Sequence, residues 1–279
     1  IIAANGSATN NNTVSATVAS TININGIMIE IPANAFYNPA TSLTATGIVT
    51  LTTKTILTKS QIIFSGAGAN SSNSKLVTTK GCVKATVSQN SQSLRLNTGG
   101  GFFMNFPDPM PAPAPTKKYY ASKVTAVDST AFWALGTDVA DIPQVTYTTS
   151  TMVYHRAALD SLKWINVGVQ FDSVAAPKTA ISVSVTASMF SKNNTMIFLS
   201  KNGSLTVGAF FEISPGIFRI SNMPKGMQAH IVAIAVINGQ YYTSILPFTV
   251  PDPTSNPVVN LTMNAVSQSV MVNQVAALP

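Results

Sequence analysis

Charge is what this sequence has least of. Only 9% of its 279 residues are Asp, Glu, Lys or Arg, against roughly 25% in an ordinary globular domain. The net charge of +7 comes from sixteen Lys and Arg against nine acids, so it reflects missing acids and not basic clusters. Lys117-Lys118 is the one adjacent basic pair. A nucleic-acid partner requires a dense basic stripe, often with stacking aromatics, and the sequence has none. The excess supports no more than a general attraction to acidic polymers or anionic membrane surfaces.

Groups that do chemistry are equally scarce. One cysteine, Cys82, excludes an intrachain disulfide; it lies in the alternating stretch "KGCVKATV", which reads as a small buried apolar position. One cysteine and two separated histidines, His155 and His230, do not make a zinc site. The histidine in "AHIVAIAV" reads as a satisfied, half-buried strand residue. His155 adjoins Arg156 and reads as a surface or locally bonded group. Two glutamates, Glu30 and Glu212, and scattered aspartates offer no pair of facing carboxylates for glycoside hydrolysis. Asp138 and Asp141, in "TDVADIP", supply too few of the 6–8 oxygens that calcium takes, and read as turn or helix-end caps. The glycines of "NTGGGFF" lack the Lys-Ser/Thr and the following helix of a phosphate loop. No apolar run is long enough to span a bilayer. The chain starts at Ile1, and a signal segment removed before it would leave this same sequence. The expectation is therefore a non-enzyme with no catalytic residue, cofactor or metal.

What is abundant is hydrophobic residues, 46%, set among Asn, Thr and Ser. An uncharged polar surface suits proteins outside the cytoplasm, glycosylated proteins and permanently assembled subunits. The hydrophobic residues alternate with period two. In "TININGIMIEI", Ile22 and Ile24 share one side, Asn25-Gly26 marks a hairpin turn, and Ile27, Ile29 and Ile31 line a face that leaves Glu30 toward solvent. Pro32 ends the ladder, and "PANAF" turns the chain to place Phe36 in the core as a plug. Short strands follow about every 8–12 residues, the pattern of β-sandwiches: "TGIVTLTTKTIL", a short strand in "SQIIFSGAG", three in "KLVTTKGCVKATVSQNSQSLRLNTGGGFFMNFP", and a long series from "KKYYASKVTAV" to "NPVVNLTMNAV". "DSTAFWALGTDVADIP" is the one place where a short helix is expected, capped by Asp128 or Ser129.

The reading is all-β: two or three β-sandwich domains joined by a Pro-rich linker. Residues 1–20 form a flexible tether or weak edge strand, and 21–107 the first sandwich. "PDPMPAPAP" makes 108–118 an extended linker. Residues 119–279 form the second sandwich region with a C-terminal strand extension. Tyr119, Tyr120, Trp133, Trp164, Tyr241 and Tyr242 are the pool for an aromatic sugar platform. Adjacent tyrosines on a strand point to opposite faces, so each pair offers one ring.

Several stretches resemble a known family. "GIMIEIPANAFYNPATSLTATGIVTLTTKTILTKSQIIFSGAG" is similar to the opening domain of secreted, often lipid-anchored surface proteins of Bacteroidota. "KLVTTKGCVKATVSQNSQSLRLNTGGGFFMNFP", "SLKWINVGVQFD" and "ISNMPKGMQAHIVAIAVINGQYYTS" resemble their later segments in the same order, over most of residues 21–250. The resemblance implies β-sandwich modules of carboxypeptidase-regulatory-like or immunoglobulin-like type, displayed extracytoplasmically, on the outer membrane surface or secreted. Membrane attachment would come only through a lipid anchor upstream of residue 1. The family has no settled activity, and Val167 and Gly168 stand where it often carries Cys and Asp. Proteins of these bacteria are also O-glycosylated at Asp-Ser/Thr followed by an apolar residue or Thr. Ser129, Ser161 and Ser173 fit that pattern, and Asp-Ser turn chemistry fits the same residues. The expected function is a structural, adhesive or accessory subunit of a surface assembly, with protein partners or self-assembly and no nucleic acid. The alternative is a glycan-binding module.

Overall fold

Side-chain alternation becomes two-layer packing in the computed structural model, which describes residues 3–68, 70, 76–97, 101–109, 117–123, 131–135, 144–148, 152–159, 162, 164–171, 176–186, 188–253 and 257–279. Strands Ser20–Ile24 and Ile27–Ile31 form the expected hairpin, closed by Asn25 (φ 53°) and Gly26 (φ 90°). Two successive positive φ values define the tight turn that matches strand twist. Ile27, Ile29 and Ile31 are buried, and Phe36 is fully buried edge-on to Phe102, with ring centroids 6.1 Å apart. In strand Ile48–Ile56, Val49 and Leu51 are buried while Ile48 is exposed.

Two sheets make the first sandwich. One runs Ala8–Ser15, Ile48–Ile56, Leu76–Gln89, Trp164–Phe171, Lys117–Lys123, Ala131–Leu135; the other runs Gln144–Thr148, Met152–Leu159, Phe102–Pro109, Ile27–Ile31, Ser20–Ile24. Their inner faces meet in a core that includes Leu51, Val83, Val167, Ile29, Met104 and Phe106. This pairing corrects the expected domain limits. Residues 108–118 do not divide two domains: Phe102–Pro109 pairs with Met152–Leu159 along its whole length, and Leu76–Gln89 pairs with Trp164–Phe171. The first sandwich therefore extends to Phe171. Pro107 and Pro109 lie within a strand because the other neighbour, Ile27–Ile31, pairs only as far as Asn105, so beyond it that edge asks for no amide donor. Residues 1–20 are not a tether either. Ala8–Ser15 is an edge strand in eight consecutive pairs with Ile48–Ile56, the second of the two expectations for this stretch.

The second sandwich starts at Lys178. One sheet runs Phe211–Ser214, Ile217–Pro224, Lys178–Val185, Val258–Leu261, its last pairing parallel; the other runs Val207–Ala209, Thr195–Lys201, Gln228–Ile237, Gln240–Thr249, Asn264–Val266. Ile181, Val183, Phe218, Ile197, Leu199 and Ile231 pack between them.

The sequence-based expectation fails at two helices, and both failures have one cause. "SQIIF" forms helix Lys59–Ser65, N-capped by the Thr58 hydroxyl, which accepts from the Gln61 amide, and ended by Gly66 at φ 71°. Helix Gln268–Ala276, capped by Ser267, follows the terminal strands where a strand extension was expected. Both helices pack their apolar residues (Ile62, Ile63, Phe64; Met271, Val275) into a third core with Ile56, Val77 and Cys82 of the first sandwich and Phe198, Val207, Val232 and Ile234 of the second. Strands Thr195–Lys201 and Gln228–Ile237 are consequently buried on both faces, which is why "IVAIA" reads as a continuous apolar run. The expected helix in "DSTAFWALG" is instead strand Ala131–Leu135, where Phe and Trp favour extended backbone.

Polar contacts also cross this seam. The Thr79 amide donates to the Leu205 carbonyl at 3.2 Å, Thr78 and Thr206 hydroxyls meet at 2.7 Å, and Lys59 Nζ donates to the Lys201 carbonyl at 2.7 Å. Leu76, from the first sandwich, enters the second core beside Gly208, where a Cβ would lie 2.5 Å from Leu76 Cδ2.

Candidate functional site

Among the described residues the fold leaves open a long sheet edge and a charged groove. Natural sheets guard edges with charge, proline, bulges or brevity. Most edges of this protein follow that rule. Phe211–Ser214, Val258–Leu261 and Asn264–Val266 are short. The edge strand Val207–Ala209 is capped by Asn70, whose side chain accepts from the Ala209 amide at 2.6 Å and donates to the Ala209 carbonyl at 3.1 Å. Gln144–Thr148 carries a register irregularity. Ala8–Ser15 differs. It is the longest edge strand among the described residues, its sequence "ATNNNTVS" has no charge and no proline, and its register is unbroken. Thr9, Asn11 and Thr13 are exposed along it.

The groove lies on the outer face of the sheet that carries the opening hairpin. Alternation turns Phe102, Met104 and Phe106 inward, so Phe103 and Asn105 face outward; register then brings Glu30 opposite Phe103, and Arg156 opposite Asn105. Arg156 Nη2 donates to Glu30 Oε2 at 2.5 Å, and Asn105 Nδ2 donates to Glu30 Oε1 at 2.8 Å. The Arg156 guanidinium carbon stands 3.6 Å from the centroid of the Phe103 ring, a stacked cation–π contact. Glu30, Phe103 and Arg156 line a cavity of about 360 Å³ with Ser20, Thr21, Ile31 and Pro32. Glu30 is thus on the expected outer face but is not simply solvated, because Arg156 and Asn105 engage both its oxygens. No spacing in the sequence reveals this, since the partners are about 75 and 126 residues away.

The other residues singled out by sequence are dispersed. Cys82 is buried, and burial pushes its thiol up to about 12 despite a hydrogen bond with Thr79. His230 is half-buried, and its Nδ1–H donates to Asn202 Oδ1 at 2.9 Å. Burial, then the positive charge of Lys59, lowers its pKa. The side chain of His155 lies outside the described residues, as do Asp138 and Asp141, the Asp-Ser sites Ser129, Ser161 and Ser173, and the rings of Tyr119, Tyr120 and Trp133. Trp164 and Tyr241 pack against the seam and Tyr242 against the second core, edge-on to Phe190. These three do not build one aromatic platform. Val167 is core, and a Cβ at Gly168 would lie 2.6 Å from the Thr78 carbonyl oxygen, at a register irregularity that only glycine accommodates. Among the described residues no three His, Cys, Asp or Glu side chains gather as a metal site, and no helix is long and apolar enough to cross a membrane.

Charged groups otherwise tie the fold together. Lys80 meets the buried Asp108 at 2.5 Å, and Lys225 meets Asp252 at 2.5 Å on the surface. No protein-family model matches the chain, and no curated protein matches it.

Proposed function

We propose that this chain is a non-enzymatic structural subunit of an extracytoplasmic surface assembly, joined to neighbouring protein through the open edge Ala8–Ser15. The edge is the observation that supports this reading. Along these eight residues of extended backbone, alternate residues turn their N–H and C=O groups away from Ile48–Ile56, which is the template for adding a strand from another chain. The missing guards matter because, among the described edges, Val207–Ala209 is capped by Asn70, Phe211–Ser214 and Val258–Leu261 end within four residues, and none is as long as Ala8–Ser15. The low charge works in the same direction, since 9% ionisable residues leave little repulsion between copies brought close. The resemblance to Bacteroidota surface lipoproteins adds the location, at the envelope or secreted.

Native mass spectrometry and negative-stain imaging over a concentration series test the reading. Oligomers that grow with concentration, and that disappear when Asn11→Lys and Thr13→Lys charge the exposed side of the strand, support it. A strict monomer at every concentration, with no strand-adding partner recovered by cross-linking from the native envelope, contradicts it.

A further inference from the structure

We propose that the Arg156–Glu30 groove binds a neutral, hydroxyl-rich ligand, a saccharide residue, on the outer face of the first sandwich. Arg156 and Glu30 compensate each other at 2.5 Å, with side chains 32% and 35% exposed. A bound anion would meet the Glu30 carboxylate, and a bound cation would meet the guanidinium. A hydroxyl suits both, since it donates to a carboxylate oxygen and accepts from an N–H beside it. Vicinal hydroxyls place such groups at the spacing of an adjacent donor and acceptor. Half-buried Phe103 and Pro32, with exposed Ala19 at the rim, supply apolar surface for the C–H face of a sugar ring. The cavity of about 360 Å³ falls at the lower end of the range that takes small molecules.

Two further observations separate this groove from an ordinary surface ion pair, which adds little to stability. Arg156 and Ser20 line it, and Arg156 Nε and Ser20 Oγ are buried without a hydrogen-bond partner. An unmet buried polar atom requires an explanation, and two at one groove point to a polar occupant. Gly101 adopts φ 65°, and a Cβ there would lie 2.9 Å from the Phe103 ring. Glycine at this position leaves the ring where the guanidinium stacks on it. The residues involved include Glu30, Ile31 and Pro32 of the "IEIPANAF" stretch, so this segment shapes a surface as well as ending a strand.

The test is saturation-transfer NMR and calorimetry on the full chain with D-mannose, D-galactose and N-acetyl-D-glucosamine. At least one binds, with a dissociation constant of about 1–10 mM. Glu30→Gln and Phe103→Leu each weaken that binding about tenfold, and Ala19→Arg, which fills the groove from its rim, abolishes it with the thermal midpoint unchanged. Should Glu30→Gln fail to fold, Ala19→Arg still decides. Lack of binding by all three sugars, undiminished binding in Ala19→Arg, or tighter binding of sulfate or spermine overturns the proposal. The groove variants keep the wild-type oligomeric state, so failure here is distinguishable from failure of the edge reading.

Discussion

Replacing Phe198 by alanine tests whether the two sandwiches behave as one body. Phe198 is 1% exposed and belongs to the second sandwich by chain position. Its ring nevertheless lies in the seam cluster with Ile62 and Ile63 of the first-sandwich helix and with Met271 and Val275 of the C-terminal helix. Its strand neighbours Ile197 and Leu199 point the other way, into the second core. A buried Phe→Ala change costs about 3–5 kcal/mol in lost transfer energy and residual cavity. Because the lost contacts join both halves, that loss falls on the whole unit. Both tryptophans, Trp133 and Trp164, lie in strands of the first sandwich, Trp164 against the seam, so the midpoint of their fluorescence transition reports the unfolding of the half that does not contain position 198. Urea unfolding followed by tryptophan fluorescence, with hydrogen exchange of Gln228–Ile237 as the second probe, gives coincident transitions in the wild type. Phe198→Ala moves both to lower urea by an amount corresponding to about 3–5 kcal/mol. A tryptophan transition that stays in place while the second sandwich alone is destabilised refutes the coupling.

Three other outcomes follow from the same packing. Gly208→Ala puts a Cβ 2.5 Å from Leu76 Cδ2 and 2.7 Å from Ile220 Cδ1, so calorimetry should find it less stable by about 1–3 kcal/mol. Cys82, fully enclosed and with its thiol raised to about 12, should react with a thiol reagent at pH 8 only after denaturant is added. The folded-state pKa of His230 lies below its ordinary 6.5, so below pH 6.5 the unfolded chain binds more protons than the folded one. Stability should fall as pH drops through that value, levelling off once the pH passes the folded pKa, and His230→Gln should remove this component of a thermal-midpoint profile measured against pH.

The fold was most legible where one local rule acts alone. Alternation identified the buried Ile27, Ile29 and Ile31, the Asn25-Gly26 pair identified its hairpin, and Pro32 with Phe36 marked the strand end and the plug. Legibility was lost where tertiary context decides. "SQIIF" has strand-forming residues, yet Thr58 and Gln61 carry a helix-capping spacing that the apolar run masked, and the seam supplies the burial that rewards a helix. The prolines of 107–115 suggested a linker because composition reports stiffness and not which strands pair across it. The groove could not have been read in advance. Its residues come from three strands, and only the sheet register brings Glu30, Phe103, Asn105 and Arg156 to one face. The open edge was half visible: "ATNNNTV" showed weak, uncharged strand character, but its position at a sheet margin belongs to topology.

Hydrogen exchange over residues 8–15, measured at concentrations below and above any onset of association, tests the central claim most directly. The account predicts that part of this strand's amides, those turned away from Ile48–Ile56, exchange fast in dilute protein and become protected as the concentration rises. Amides that are already fully protected in the monomer, or that stay equally unprotected within a demonstrated oligomer, would contradict it.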